Sequence, residues 1–311
     1  MIIFEPKAHN YHGDRLQAAL KKLGVDAKIG NLETKEFSDG EVYHRFLDSV
    51  RNEDVVLVGS LEKDADFLEL YDLGCAAAKY GARTLSFVVP YFGYSTMERS
   101  VHEGEVVKAK TRARLFSSIP LAHQGNNIFL LDLHVETLVH YFEGNIHSIH
   151  VSAVPDLIDQ VKQLLAKKNA TNYIVASADT GRAKTVQKLG QLLGCDTAFI
   201  VKKRDGDKVS AQAVGVDCKD KIVIIYDDMI RSGKTIVEAM KIYKQHGAKE
   251  VWIVSTHGVF TDPNSKIFWA DQKFFTNSHS HHVKFRSYGN NAYVVDVMPI
   301  FAKALVDRGI K

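Results

Sequence analysis

The sequence predicts an α/β protein of two domains, each a mainly parallel β-sheet flanked by helices. Short apolar runs alternate with helix-like segments along the whole chain, which is typical of βαβ units. The run at 222–225 is apolar at every position, as expected of a strand covered on both faces. A second cycle of elements begins near residue 154. We therefore predict one domain over 1–150 and another over 151–311.

In the first domain, turn residues separate the predicted elements. A helix over 66–80 ends before Gly81, and a strand over 84–89 is stopped by Pro90. The other predicted elements are strands over 55–58 and 128–132 and a helix over 135–142.

In the second domain, the same rhythm continues up to the apolar run at 222–225. Its predicted elements are helices over 154–168, 180–193 and 234–246 and strands over 173–177 and 197–201. The segment 204–208 is charged and contains Gly206, so we predict a turn or a mobile loop there.

Composition excludes several classes of protein. Hydrophobic residues are 45% and charged residues 25% of the 311, as in a globular protein rather than a disordered or membrane-spanning one. The net charge of +3 is small and no basic run stands out, so we expect no nucleic-acid partner. The first residues lack an export signal, and no stretch of 18 apolar residues predicts a membrane span. The widely spaced Cys75, Cys195 and Cys218 favour a reducing cytoplasm.

The stretch 221–235 is the most informative part of the chain. It joins the apolar run to two acids, Asp227 and Asp228, and then to a short polar turn that opens a helix. Ligands of open α/β sheets bind beyond the carboxyl ends of strands, and backbone N–H groups at a helix start attract anions. Two adjacent carboxylates suit the two hydroxyl donors of a ribose, and the turn suits its 5′-phosphate.

This stretch allows two other interpretations. The run 232–235 ends like a phosphate-binding P-loop, but that motif needs glycine where this chain has Asp228, which excludes it. The plainer alternative is a strand-to-helix turn with a solvated acidic pair.

Six further segments occur in order around this stretch: FSDGE at 37–41, PYFGYS at 90–95, LLDLHVETLVHYF at 130–142, ASADTGRAK at 176–184, VKKR at 201–204 and THGVF at 256–260. With the acidic stretch they make nearly the whole chain resemble the phosphoribosyl-diphosphate synthetases, also called ribose-phosphate diphosphokinases. The resemblance implies two phosphoribosyltransferase-like domains, a homo-oligomer that is a hexamer or a dimer, and ATP and ribose 5-phosphate as substrates. It also implies Mg²⁺ as cofactor and transfer of diphosphate from ATP to the anomeric hydroxyl.

The resemblance also implies roles for individual residues. His134 and Asp179 match positions near the Mg²⁺ that holds the ATP phosphates, and His134 is also an expected ATP contact. Lys202 and Arg204 match the catalytic pair at the start of a flexible loop. The alternative for His134 is a structural histidine at the end of a strand. The alternative for Lys202 and Arg204 is a solvated basic strand end.

The ATP site is expected to include a neighbouring subunit. Phe37, Asp39 and Glu41 match a loop that reaches the neighbour's adenine, with Phe37 stacking and the acids accepting from the amine. The alternative is an ordinary Asp-Gly turn between strands. Where the resemblance leads one to expect Arg-Gln, this chain has Thr96 and Met97, with Arg99 close behind.

The segment that matches the family's ribose-phosphate loop also differs from the family pattern. Relatives usually carry Asp-Thr-Gly-Gly-Thr, whereas this chain has Arg231, Ser232, Gly233, Lys234 and Thr235, so an acid became Arg and a glycine became Lys. Two cations fit a second phosphate, as in ADP-ribose. Ribose 5-phosphate is the expected acceptor, with the same chemistry on ADP-ribose, a phosphoribosyltransferase and a non-catalytic regulatory homologue as alternatives. The cluster of His279, His281 and His282 is interpreted as a loop rather than a metal site.

Overall fold

The computed structural model describes residues 1–6, 11–178, 180–205, 208–214, 217–282 and 291–310. These residues group into two compact units, one over Met1–Ser152 with Val297–Lys311 and one over Ala153–Asp296. The sequence predicts a single boundary near residue 150, whereas the C-terminal segment groups with the first unit.

The first unit is built on a parallel sheet that has six strands within the described residues, in the order β2-β1-β5-β6-β7-β8. These strands are β1 Ile2–Phe4, β2 Lys28–Ile29, β5 Asp54–Val58, β6 Thr84–Val89, β7 Asn126–Leu131 and β8 Ile146–Val151. An antiparallel hairpin of β3 Leu32–Glu36 and β4 Val42–Phe46 accompanies it. Its α-helices are α1 Gly13–Lys22, α2 Asp64–Lys79, α3 Lys108–Ser117 and, at the C-terminus, α7 Met298–Asp307.

The core of this unit forms because its central strands carry apolar residues on both faces. All five residues of β5 and all six of β6 are buried, which the continuous apolar runs predict. Between β7 and β8 the predicted helix over 135–142 is a 3₁₀-helix, Glu136–Tyr141.

The second unit has a sheet of seven strands in the described residues, in the order β11-β10-β9-β12-β13-β14-β15. Its strands are β9 Tyr173–Ser177, β10 Thr197–Asp205, β11 Lys208–Val214, β12 Ile222–Ile230, β13 Glu250–Gly258, β14 Gln272–Thr276 and β15 Ala292–Val295. Pairing is parallel except between β10 and β11. Among its described residues are the α-helices α4 Val154–Lys167, α5 Ala183–Leu193 and α6 Lys234–Gln245, with 3₁₀ turns at Thr180–Arg182 and Lys266–Trp269.

Two elements of this unit differ from the sequence prediction. β12 runs on to Ile230 instead of ending near residue 225, because its pairing with β13 continues to Ile230 opposite Gly258. β10 runs on to Asp205, so part of the predicted loop at 204–208 is paired strand. In both cases a neighbouring strand prolongs an element beyond its apolar run. None of the helices described is both long and apolar enough to span a bilayer.

Candidate active site

The acidic pair lies where β12 extends beyond the end of its pairing with β9. Pairing of β12 with β9 stops at Tyr226 opposite Ser177, while pairing with β13 continues past both acids. Asp227 and Asp228 therefore stand at the carboxyl-terminal edge of the sheet, beside the segment that follows β9. The Asp227 side chain is 25% exposed and that of Asp228 is 8% exposed. A carboxylate as buried as Asp228 needs a charged or hydrogen-bonding partner.

Arg182 supplies that partner. Its Nη2 lies 2.6 Å from Oδ1 of Asp228, and its Nε lies 3.9 Å from Oδ1 of Asp227. Arg182 ends the 3₁₀ turn after β9, so adjacency of two parallel strands brings it to the acids. Arg182 lies within the segment 176–184, but no sequence motif assigns a role to it. The sequence signal for this pair is a cation just after the predicted strand at 173–177 and two acids just after the apolar run at 222–225.

Residues 231–235 form the turn between β12 and α6. Gly233 caps the helix with a φ of 75°, a conformation that side chains disfavour. A Cβ added there would lie 2.9 Å from Oγ of Ser265, which itself donates to the carbonyl oxygen of Ser232 at 3.0 Å. Gly233 is thus required by both conformation and space. Arg231, Lys234 and Thr235 are exposed and Ser232 is half-buried, so the turn faces solvent with two cations and two hydroxyls.

The segment after β13 braces this turn. The backbone N–H groups of Val259 and Phe260 donate to Ile230, and that of Thr261 donates to Arg231 at 3.1 Å. Because β13 is paired with β12 as far as Gly258, these bonds tie the turn to the sheet. Such a turn can present its backbone N–H groups at the start of α6 to an anion.

A buried lysine, Lys273, anchors a second segment that packs against this turn. Nζ of Lys273 donates to the carbonyl oxygens of Phe268 and Ala270 and to Oδ1 of Asn291, at 3.1, 3.2 and 2.7 Å. Burial lowers the pKa of the Lys273 ammonium. These bonds anchor the 3₁₀ turn Lys266–Trp269, whose Ile267 packs against Gly233.

Lys202 and Arg204 lie in the part of β10 that pairs with β11. Lys202 is opposite Ala211 and Arg204 is opposite Val209 in an antiparallel ladder. The backbone at these positions is therefore strand, which corrects the predicted mobile loop for 204 and 205. Gly206 and Asp179 lie outside the described residues.

In the first unit, two candidate ATP contacts lie at one edge of the sheet. Arg99 follows β6 and His134 follows β7, and these strands are parallel neighbours. The hydroxyl of Tyr141, seven residues after His134, donates to the carbonyl oxygen of Glu98 at 2.6 Å and ties the two segments together. His134 is half-buried, whereas Arg99 is 78% exposed and lies 3.4 Å from Glu98. The Arg99 side chain is therefore accessible to a nucleotide.

The residues before His134 form a tight turn. Asp132 has a φ of 35°, which a residue with a side chain rarely adopts, and it is buried. The N–H of Leu133 donates to Nε2 of His150 at 3.3 Å. The turn carries His134 beyond the end of β7.

The predicted adenine loop is the tip of the β3–β4 hairpin. The N–H of Phe37 donates to the carbonyl oxygen of Glu41 at 2.8 Å, and Gly40 has a φ of 89°. Phe37 is 52% exposed, and Asp39 and Glu41 are exposed beside it. A half-exposed phenylalanine followed by two exposed acids leaves a ring and carboxylates available to a partner.

His279 and His281 follow β14 in a segment of bends and turns, as expected of a loop, and His282 has helical backbone. His279 is buried, and the Nδ1 of His282 contacts its carbonyl oxygen at 2.9 Å. No group of three or more potential metal ligands occurs within the part of the chain that the structure describes.

Comparison with known families covers most of the chain. Residues 1–119 match the family described as the N-terminal domain of ribose phosphate pyrophosphokinase. Residues 150–287 match the family described as the phosphoribosyl transferase domain.

Individual proteins give the same result. The ribose-phosphate pyrophosphokinase of Corynebacterium glutamicum is 30% identical over 85% of this chain and 78% of its own length. That of Pyrococcus furiosus is 30% identical over 76% of this chain and 81% of its own length. The solved phosphoribosylpyrophosphate synthetase of Mycobacterium smegmatis superposes with a TM-score of 0.84 at 26% identity, covering 99% of both chains.

Proposed function

We propose a specific activity on the premise that this chain belongs to the ribose-phosphate pyrophosphokinase family. The chain transfers the β,γ-diphosphoryl group of ATP to the anomeric hydroxyl of ribose 5-phosphate. The products are phosphoribosyl diphosphate and AMP.

The observation that carries this proposal is the acidic pair beside the braced turn. Asp227 and Asp228 lie near the carboxyl-terminal end of β12, and the turn with Gly233 follows the strand, so a sugar diol and a phosphate can bind a few residues apart. Carboxylates accept from two hydroxyls, and the start of α6 attracts the phosphate. The two groups together match a ribose phosphate.

The chemistry asks little covalent work of the protein. The anomeric oxygen attacks the β-phosphorus, the bond from that phosphorus to the α,β-bridging oxygen breaks, and AMP leaves with that oxygen. The anomeric hydroxyl loses its proton. Positioning and positive charge supply most of the rate in such transfers, and we assign those roles to Lys202 and Arg204.

Magnesium fits the oxygen-rich chemistry of this site. Mg²⁺ is usually bound through one or two carboxylates together with substrate phosphates and waters. Asp179 and His134 are the residues we propose near the metal. When bound, Mg²⁺ would neutralise charge on the ATP phosphates. The residues of the chain then hold the ribose and orient the attacking oxygen.

We propose that ATP binds at a site shared between subunits of a homo-oligomer. Phe37, which is 52% exposed, would stack on the adenine, and Asp39 and Glu41 would accept from the amine. Arg99 and His134 would contact the nucleotide from the first unit.

Free cysteines at the three positions support a reducing compartment, the cytoplasm.

The activity is tested by measuring AMP release from ATP with ribose 5-phosphate and Mg²⁺. We expect release to require both the acceptor and the metal, and chelation should abolish it. A phosphoribosyltransferase or a non-catalytic homologue would release no AMP, and that result would overturn the proposal.

A second acceptor, ADP-ribose, is favoured by the surface around the turn. Arg231 and Lys234 are exposed cations suited to a second phosphate. On the 3₁₀ turn that braces this loop, Trp269 is 74% exposed and Nζ of Lys266 lies 5.0 Å from its ring centroid. An exposed indole beside cations can stack on a nucleobase.

The choice of acceptor is tested with the double variant Arg231→Asp with Lys234→Gly. If the cations hold a second phosphate, kcat/KM for ADP-ribose should fall about tenfold or more while that for ribose 5-phosphate is retained, since each lost charged hydrogen bond is worth ~1.5–3 kcal/mol. Lys241→Ala, at an exposed position further along α6, is the control. Equal loss for both acceptors would count against ADP-ribose.

A further inference from the structure

We propose that Lys108, the first residue of α3, is a ligand of the phosphate chain of ATP. The inference rests on the proposed function, in which ATP contacts the segments that follow β6 and β7. Lys108 lies outside the segments by which the chain resembles its family, so neither the motifs nor the comparisons assign a role to it.

The start of α3 is bonded to the segment that follows β6. The N–H of Ala109 donates to the carbonyl oxygen of Met97 at 3.3 Å, and the N–H of Met97 donates to that of Tyr94 at 2.8 Å. Arg99, a proposed ATP contact, comes two residues after Met97. Lys108 therefore begins α3 at the edge of the sheet from which Arg99 would reach the nucleotide.

The segment that follows β7 is fixed to the same place. The hydroxyl of Tyr141 donates to the carbonyl oxygen of Glu98, and Nζ of Lys110 lies 5.8 Å from the centroid of the Tyr141 ring. His134, the other proposed ATP contact of this unit, precedes the 3₁₀-helix that ends at Tyr141. The first turn of α3 thus lies next to both segments that carry a proposed ATP contact.

Lys108 is held only loosely by its acidic partner. Nη2 of Arg112 lies 2.6 Å from Oδ1 of Asp64, whereas Nζ of Lys108 lies 3.8 Å from Oδ2 of the same carboxylate. The hydrogen bond from Arg112, together with one from the hydroxyl of Tyr94, lowers the pKa of the Asp64 carboxyl. Two cations share this one acid, so the three charged groups together are positive and attract an anion.

The Lys108 ammonium lies over an aromatic ring at the surface. Its Nζ is 4.4 Å from the centroid of the Tyr94 ring, and its side chain is 36% exposed. An ammonium has three donors, so it can keep this contact and also donate to a phosphate oxygen. Residues 95–97 are uncharged, so α3 supplies the cation on this side of Arg99. A triphosphate that contacts Arg99 can therefore take a further contact from Lys108.

Calorimetric titration with nucleotides of different charge tests this role. ATP, with Mg²⁺, and AMP are each titrated into the wild type, Lys108→Gln and Lys108→Arg. We expect Lys108→Gln to weaken ATP binding about tenfold, as for a lost charge-assisted hydrogen bond, and AMP binding less than twofold, because AMP lacks the outer phosphates. Lys108→Arg keeps the charge and should recover most of the ATP affinity.

Lys79→Gln is the matched control. Lys79 also lies over a tyrosine ring, with its Nζ 5.9 Å from the centroid of Tyr80, but it is in the last turn of α2. That end of the helix leads into β6 rather than away from it, so it lies at the opposite edge of the sheet. The control variant should change neither affinity.

The outcomes separate a phosphate ligand from a merely structural lysine. If Lys108 only fastens α3 to Asp64, Lys108→Gln lowers the melting temperature and leaves ATP affinity unchanged, and that result overturns the inference. Equal weakening of ATP and AMP does so as well. If Lys108→Gln fails to fold, Lys108→Met, which keeps an aliphatic stem over the ring, must show the selective loss. A wild type that releases no AMP from ATP and ribose 5-phosphate defeats the proposed function itself, whereas an active wild type with no selective loss in the variants defeats only the role of Lys108.

Discussion

Lys202→Ala and Arg204→Ala are each expected to lower kcat by about 10²-fold or more with little change in ATP affinity, because cations on a transferring phosphoryl group act mainly in the transition state. Both residues belong to the stretch of β10 that pairs with β11. Steady-state rates of AMP release and ATP affinity by titration measure the two effects separately.

Lys203 provides the control for these variants. It lies between Lys202 and Arg204 in the same strand, opposite Ser210, but does not match the catalytic pair of the family. Lys203→Ala should keep most of the activity. A collapse of ATP affinity with kcat intact in Lys202→Ala or Arg204→Ala would make these residues nucleotide ligands instead.

Replacing both Asp227 and Asp228 by asparagine should lower kcat/KM for the acceptor by about 10²-fold, since each lost bond to a charged acceptor costs ~1.5–3 kcal/mol. Asparagine keeps the size of each side chain but removes the charge that pairs with Arg182. The effect should appear in the KM of ribose 5-phosphate and in turnover, with ATP affinity retained.

Because Asp228 is buried and paired with Arg182, the stability of the variants must be measured alongside their kinetics. The single variant Asp227→Asn changes only the more exposed acid. It should lose part of the kcat/KM for the acceptor and keep the melting temperature of the wild type. Asp159→Asn, on an exposed position of α4, is the matched control. A double variant that is folded and kinetically unchanged contradicts the assignment of the ribose site.

Local sequence was sufficient for most elements because their signals are local. The run at 84–89, closed by Pro90, is β6, and the segment that begins at Lys234 and ends before Gly247 is α6. Apolar periodicity and helix-ending glycines depend only on neighbouring residues. The acidic pair and the turn after it were likewise identifiable, since the strand, the acids and the glycine are consecutive.

What only the tertiary structure decided are the features that depend on pairing between distant segments. The strands β12 and β10 extend beyond their apolar runs because β13 and β11 pair with them. A polar residue in a strand gives no local sign of such pairing. The grouping of α7 with the first unit is of the same kind.

The candidate site shows the same division. By itself the sequence determined that two acids and an anion-binding turn follow one buried strand. It did not determine what compensates the buried charge of Asp228, because that depends on which strand lies beside β12 and on where that strand ends. β9 is that neighbour and ends at Ser177, so the turn after it carries Arg182 to within 2.6 Å of the carboxylate. Strand order is set by burial of the whole sheet, and residues 46 positions apart in sequence meet only once it has formed.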